Sequence, residues 1–314
     1  MNLDPETAML LFGAVTMSRP LTKLVEAVFE HVGLERDAAR KMKNADAERY
    51  EAIQQQLAKE NVADVKRMAR MQRRITNDAD RRQGNREKIV RGAAGLLPGT
   101  VSDRPVDQVW ISRFFCYSED EADAEMLSIW SQLLAGEVAE PGRYSLRTLQ
   151  AVSTLRKEDA ILFTNYCKFV WWVDQWSRPW FFISAGGDAV GSFLQVNFLA
   201  ELRDIYTREG VTPEGRLHLQ ALNLVSAGGQ IVPIACTQTE PLIFHYHDRA
   251  FAVFDTPERP VRASPPYAPE ICSNHLTDIG RELAPICGAK PHDRYRQLIL
   301  DSMRCNQLRI ADMT

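Results

Sequence analysis

The chain has 314 residues and a formal net charge of −3, from 38 Lys and Arg against 41 Asp and Glu. Hydrophobic residues make up 45% and charged residues 25%, a balance that excludes disordered, collagen-like and disulfide-scaffold classes. The near-neutral charge gives no global pull towards nucleic acid or an acidic membrane, so either partner would need a local cluster.

Six cysteines, at 116, 167, 236, 272, 287 and 305, have no paired spacing, and Met1-Asn2-Leu3-Asp4-Pro5-Glu6 is not a basic leader. Free thiols and a cytoplasmic location are expected. No window reaches ~18 uncharged apolar residues, so no transmembrane helix is expected. The chain reads as three regions, 1–98, 99–176 and 177–314. The expected class is mainly α with a small β element.

The first region is dominated by a stretch between Gly33 and Gly84 without glycine or proline, rich in Ala, Glu, Lys, Arg, Gln and Met. These are good helix formers, and an unbroken helix of ~50 residues would be about 75 Å long. Its apolar stripe is thin: Met42, Tyr50, Ile53, Leu57, Val65, Met68 and Ile75. A helix polar on its other faces lies along a partner helix, so Ile53, Leu57, Val65 and Met68 are expected to carry self-association. From Lys66 to Arg91, ten cations meet three anions, a net +7. Lys66, Arg67, Arg70, Arg73, Arg74, Arg81 and Arg82 could bind phosphates. A basic patch without base-reading elements is more often a solvated face, or the match for an acidic surface such as Glu119-Asp120-Glu121.

The second region reads as a helical bundle. Ser118-Glu119-Asp120-Glu121 has the pattern of a capping box. Met126, Leu127, Trp130, Leu133 and Leu134 then share a helical face, which places Trp130 in the core. Glu140-Pro141-Gly142 stops that helix. Ser145 caps a second, with Leu146, Leu149, Val152 and Leu155 on one face, and Lys157-Glu158-Asp159 opens a third.

The run Trp130-Ser131-Gln132-Leu133-Leu134-Ala135-Gly136-Glu137, the turn Pro141-Gly142 and the helix start Ser145-Leu146-Arg147-Thr148-Leu149 resemble a bacterial family called domain of unknown function 2806. That family carries W-x-x-L/I-L-A-G-E, then P-G, then S-x-R-T-L. Upstream, within the segment Arg82 to Ile89, Gln83, Asn85, Glu87 and Ile89 resemble the Q-x-N-x-E-x-I part of its R-x-Q-x-N-x-E-x-I run, with Arg86 and Lys88 at variable positions. The resemblance implies a mostly helical, intracellular bacterial protein with no assigned activity, catalytic residues or cofactor. Related W-A-x-L-L-A segments in some abortive-infection proteins suggest phage defence by association.

The third region mixes strand and helix. Trp180 to Ile183 is strand-like. Phe193 to Tyr206 and Pro213 to Leu224 read as helices. Ile231 to Ala235, Leu242 to His247 and Phe251 to Phe254 read as strands, the last two joined in a hairpin at Asp248-Arg249-Ala250. After a proline-rich loop, Leu276-Thr277-Asp278-Ile279-Gly280-Arg281-Glu282-Leu283 opens another helix. This order resembles a winged helix, with the hairpin as the wing. Helix 213–224 carries few fixed positive charges, which favours protein docking over base reading.

No P-loop, dinucleotide fingerprint or nucleophile elbow is present. His245 and His247 alternate on a strand and Cys272-x-x-His275 follows, a potential zinc set, although the halves are 25 positions apart and two hairpin histidines with a half-buried cysteine are the plainer reading. Trp171, Trp172, Trp176 and Trp180 are expected at the seam between the second and third regions, with a base-stacking platform as the alternative. The resulting expectation is a non-enzymatic, cofactor-free oligomer that senses or assembles through protein contacts in phage defence. The alternatives are a nucleic-acid-binding regulator using helix 66–91 and an unrecognised metal-dependent hydrolase or nuclease.

Overall fold

The computed structural model describes residues 18–29, 31, 62–175, 178–184, 196–226, 230–233, 236–256, 270–305 and 307–313. The chain divides into two compact units, Met1–Ser153 and Thr154–Thr314. The first is helical throughout its described part, and the second surrounds one antiparallel sheet with helices. The expected class, mainly α with a small β element, holds. The expected boundaries near 98 and 176 are replaced by a single one at 153/154, because the long helix and the bundle share a core.

In the first unit, residues 19–29 form α1, followed by α2 (Val62–Leu96), α3 (Gln108–Ser118), α4 (Ala124–Ala139) and α5 (Leu146–Thr154). The α2 helix runs on through Gly84, Gly92 and Gly95, each of which lowers helix propensity by about 1 kcal/mol relative to Ala. Packing overrides propensity here: Ile89, Val90 and Ala93 are completely buried, and α2 lies against α4. At the crossing, a Cβ on Gly92 would stand 2.4 Å from Ser131 Oγ, so only glycine permits this approach.

The turn between α3 and α4 differs from the capping-box expectation. Ser118 is the last residue of α3, and Asp123 caps α4 by accepting from the backbone N–H groups of Glu125 (2.8 Å) and Met126 (3.1 Å). Aspartate is as good an N-cap as serine, and Glu119 and Asp120 are taken up by arginines of α2.

The W-x-x-L-L-A-G-E run is a packing and bracing device. Trp130 is 1% exposed, as expected, and meets Phe114 edge-to-face at 5.4 Å. A Cβ on Gly136 would meet the Tyr144 hydroxyl at 2.6 Å. Glu137, also 1% exposed, accepts from Gly142 N at 2.6 Å through one oxygen and from Tyr144 N at 3.0 Å through the other. Gly142 has φ 90°, which the Pro141-Gly142 turn requires. Ser145 Oγ then accepts from Thr148 N at 3.2 Å, capping α5.

In the second unit, α6 (Lys157–Cys167) leads into β1 (Trp171–Gln175) and β2 (Arg178–Ser184). Next come α7 (Val196–Arg208), α8 (Pro213–Ala221), β3 (Gln230–Pro233), β4 (Leu242–Tyr246), β5 (Arg249–Phe254) and β6 (Glu270–His275). The chain continues through α9 (Asp278–Leu283), α10 (Asp293–Cys305) and β7 (Arg309–Asp312). The seven strands lie in the order β3-β6-β2-β1-β4-β5-β7. The core gathers Phe169, Trp171, Phe244, Tyr246 and Tyr295, all fully buried. Tyr246 Oη donates to Lys168 O at 2.5 Å and Tyr295 Oη to Phe169 O at 3.0 Å, so these phenols reach polar partners from inside an apolar cluster.

The sheet is larger than the hairpin read from sequence. Residues 171–175 are strand where helix was expected, because all five pair with β2, and Trp172 and Val173 pair with β4 as well. The β4–β5 hairpin is no free wing: β1 flanks it on one side and β7 on the other. Its turn is His247-Asp248, since Arg249 already pairs with Tyr246, and His247 takes φ 53° as short hairpin turns require.

Candidate functional site

The α2 helix has two halves of opposite character. Towards its C-terminus Asn85 is buried, and its side-chain amide donates to Glu119 O (3.0 Å) and Glu121 O (2.6 Å). Arg86 lies beside Glu119, its Nε 3.1 Å from Oε2, and over the Phe115 ring at 5.7 Å. Arg81 and Arg82 both reach Asp120 Oδ1, at 2.8 and 2.9 Å. The hydrogen bond from Arg82 is the main reason the Asp120 carboxyl sits below the usual range. Arg81 and Arg82 therefore fasten α2 to the α3–α4 turn, the acidic match that the sequence offered as an alternative to phosphate binding.

The N-terminal half is open. Met68, Met71 and Ile75 are 55%, 57% and 59% exposed and, at spacings of three and four, share one face. Lys66, Arg67, Arg70, Arg73 and Arg74 are exposed, and no carboxylate among the described residues pairs with them. The basic run of the sequence thus resolves into an anchored part and an exposed part carrying five cations beside an apolar stripe. Of the expected association residues, Met68 is exposed, Val65 lies on α2, and Ile53 and Leu57 fall outside the described residues. Met71 fits the same three-and-four spacing between Met68 and Ile75, a signal present in the sequence that the reading of the stripe passed over.

The proposed metal quartet is not assembled. His245 is on β4, opposite Trp172, and their rings stack at 3.6 Å and 6°. His247 has left the strand and occupies the turn, its Nε2 3.3 Å from Lys168 O. Cys272 and His275 are on β6, with His275 Nδ1 2.9 Å from Ser226 Oγ. Two strands, β2 and β1, separate β6 from β4, which puts the halves about 14 Å apart at the usual strand spacing. Among the described residues no group of three or more His, Cys, Asp or Glu could hold a metal ion.

The tryptophans sit inside the second unit. Trp171 and Trp172 are on central strand β1, Trp180 is on β2 in register with Val173, and Trp176 falls outside the described residues. Trp171 is fully buried against Tyr246 and Phe251, at 4.7 and 5.8 Å. Trp172 lines an open cleft of about 560 Å³ with Cys167, Val170, His247, Asp248 and the loop from Ala284 to Pro291. That volume falls in the range of small-ligand clefts. Burial holds His247 below the ordinary histidine range, so the wall is a neutral imidazole, one carboxylate, a thiol and apolar surface. The cleft went unseen in the sequence because residues 167–172, 247–248 and 284–291 meet only in the fold. Among the described residues no helix is long and apolar enough to cross a membrane.

Comparison with curated proteins and with solved structures finds no match. The family model described as "Protein of unknown function (DUF2806)" matches residues 69–300, which spans the arginine anchor of α2, the Trp130–Glu137 brace and most of the sheet. The chain belongs to the DUF2806 family.

Proposed function

We propose that this protein is a non-enzymatic assembly or sensor component that works through protein contacts, with the N-terminal half of α2 as its contact element. The observation that carries this reading is the exposed stripe Met68, Met71 and Ile75 on a helix whose other half is anchored. Exposed apolar rows of this kind are covered by pairing with a like helix, and the flanking cations then stay at the rim. Phage defence in the bacterial cytoplasm is the proposed setting, and infection of cells expressing the protein or its variants tests it. For the contact itself, light scattering of the full chain should give a mass above the monomer that falls when Met68 and Ile75 are both changed to Glu. A monomer at all micromolar concentrations refutes the assembly reading.

A second reading rests on Lys66, Arg67, Arg70, Arg73 and Arg74. Five phosphate contacts would make duplex-DNA affinity fall with salt at a log–log slope of about −4.5. Removing Arg70 and Arg73 would lower that slope by about 2. Binding without salt dependence, or none, excludes it.

A further inference from the structure

The open cleft of the second unit has one charged side chain in its lining, the Asp248 carboxylate. Asp248 stands exposed in the β4–β5 turn, and no Lys or Arg among the described residues pairs with it. Three Lys or Arg residues adjoin lining residues in sequence, and none of them lines the cleft. Lys168 Nζ is 2.7 Å from Glu209 Oε2, the Arg249 guanidinium bonds Asp312, and Lys290 is exposed on its loop outside the lining. Cys167 adds a buried thiol that burial keeps uncharged. An anion placed here would meet a carboxylate and no countercharge.

His247 supplies a second acceptor. Its Nε2 lies 3.3 Å from Lys168 O. A carbonyl oxygen only accepts, so Nε2 carries the proton, and Nδ1 of the neutral ring keeps a lone pair. Burial favours that neutral ring. Trp172 supplies an indole whose plane is fixed: the His245 ring stacks on it at 3.6 Å and 6°, and β1 is paired on both sides. Indole is the side-chain ring that attracts cations most strongly. Val170, Pro285 and Pro291 add apolar wall, and the two prolines have no backbone N–H to offer an acceptor.

We propose that this cleft binds a small organic cation, a protonated amine on an aromatic or apolar body. Its N–H groups donate to the Asp248 carboxylate and to His247 Nδ1, and its body rests against Trp172 and the proline wall. Both acceptors belong to one tight turn and line the same cleft, within reach of a single ligand. A volume of about 560 Å³ has room for a body of one or two rings. Phosphates and carboxylates carry the wrong charge and no donor, so the same groups that hold an amine reject them. This inference rests on the cleft alone and is independent of the α2 contact proposal.

Calorimetric titration of the full chain at neutral pH tests this, with phenethylamine and tryptamine as probes and 3-phenylpropionate and indole-3-propionate as their carboxylate counterparts. The expected result is saturable one-to-one binding of at least one amine, with its carboxylate counterpart weaker by about tenfold or more. Asp248→Asn, a substitution that suits an exposed turn, should weaken the amine by about tenfold and leave the melting temperature unchanged. Asp248→Lys should abolish amine binding. The comparison of amine with carboxylate on the wild-type chain decides the question even if neither variant folds. Equal binding of an amine and its carboxylate, an amine affinity unchanged in folded Asp248→Asn, or no saturable binding of either amine at millimolar concentration overturns the proposal.

Discussion

Glu137 holds the α4–α5 turn through two backbone N–H groups while buried among apolar side chains, a role that needs two acceptor oxygens and tolerates no donor. In Glu137→Gln an amide NH₂ must face a backbone N–H. The variant should lose about 1–3 kcal/mol in denaturant unfolding, the cost of a buried polar group left unpaired. Trp130→Ala should lose about 3–5 kcal/mol, as is usual for deleting a buried aromatic. An unchanged melting temperature for either variant would place these residues outside the core. Gly280 is a harsher case: a Cβ there would stand 2.1 Å from the backbone oxygen of Leu224. Because backbone must move to relieve that clash, Gly280→Ala should destabilise the second unit by about 3 kcal/mol, the upper end for overpacking.

At the scale of the element, α2 is a helix under two regimes. Its second half is fixed by Asn85, Arg86 and the Gly92–Ser131 crossing, and its first half presents Met68, Met71 and Ile75. Charges placed on that first half should alter association while leaving the melting temperature within about 1–2 °C, because no core contact is lost and surface changes cost within about 0.5 kcal/mol. Charges at Ile89 or Val90 should do the reverse. Sequence periodicity showed much of this. The α4 face through Trp130, the Ser145 cap and the position of β4 and β5 follow from local pattern. It was silent where distant residues decide: Ser118 and Asp123 are both good caps, and only the arginines on α2 choose between them. Trp171-Trp172-Val173 is strand because β2 and β4 lie on either side. The metal quartet failed for the same reason, since strand order rather than residue spacing sets the distance from His245 to Cys272.

For the whole molecule, the histidines make stability depend on pH. Burial lowers His247 and His275, and in His275 the nearby Arg281 adds to it. Between those lowered values and about 6.5 the unfolded chain binds protons that the folded chain refuses. Their contribution is complete above about pH 6.5 and is lost as pH falls through the folded values. The melting temperature should therefore decline from pH 7 to pH 5. In His247→Asn the decline should be shallower, because asparagine accepts the φ of 53° and does not titrate in this range. A slope identical to wild type would remove His247 from this account.

The strand order also sets a timetable for the nascent chain. β4 and β5 are neighbours in sequence and can close as a hairpin as soon as they leave the ribosome. β5 does not gain its outer partner until residues 309–312 are made, and β2 waits for residues 273–275. In the interval, Phe251 and Val253 belong to a strand with an open edge, the kind of edge that captures another chain. Ribosome-stalled chains ending at Ile299 should therefore be cut readily by protease within the second unit, whereas the helical first unit, whose contacts are closer in sequence, should already resist.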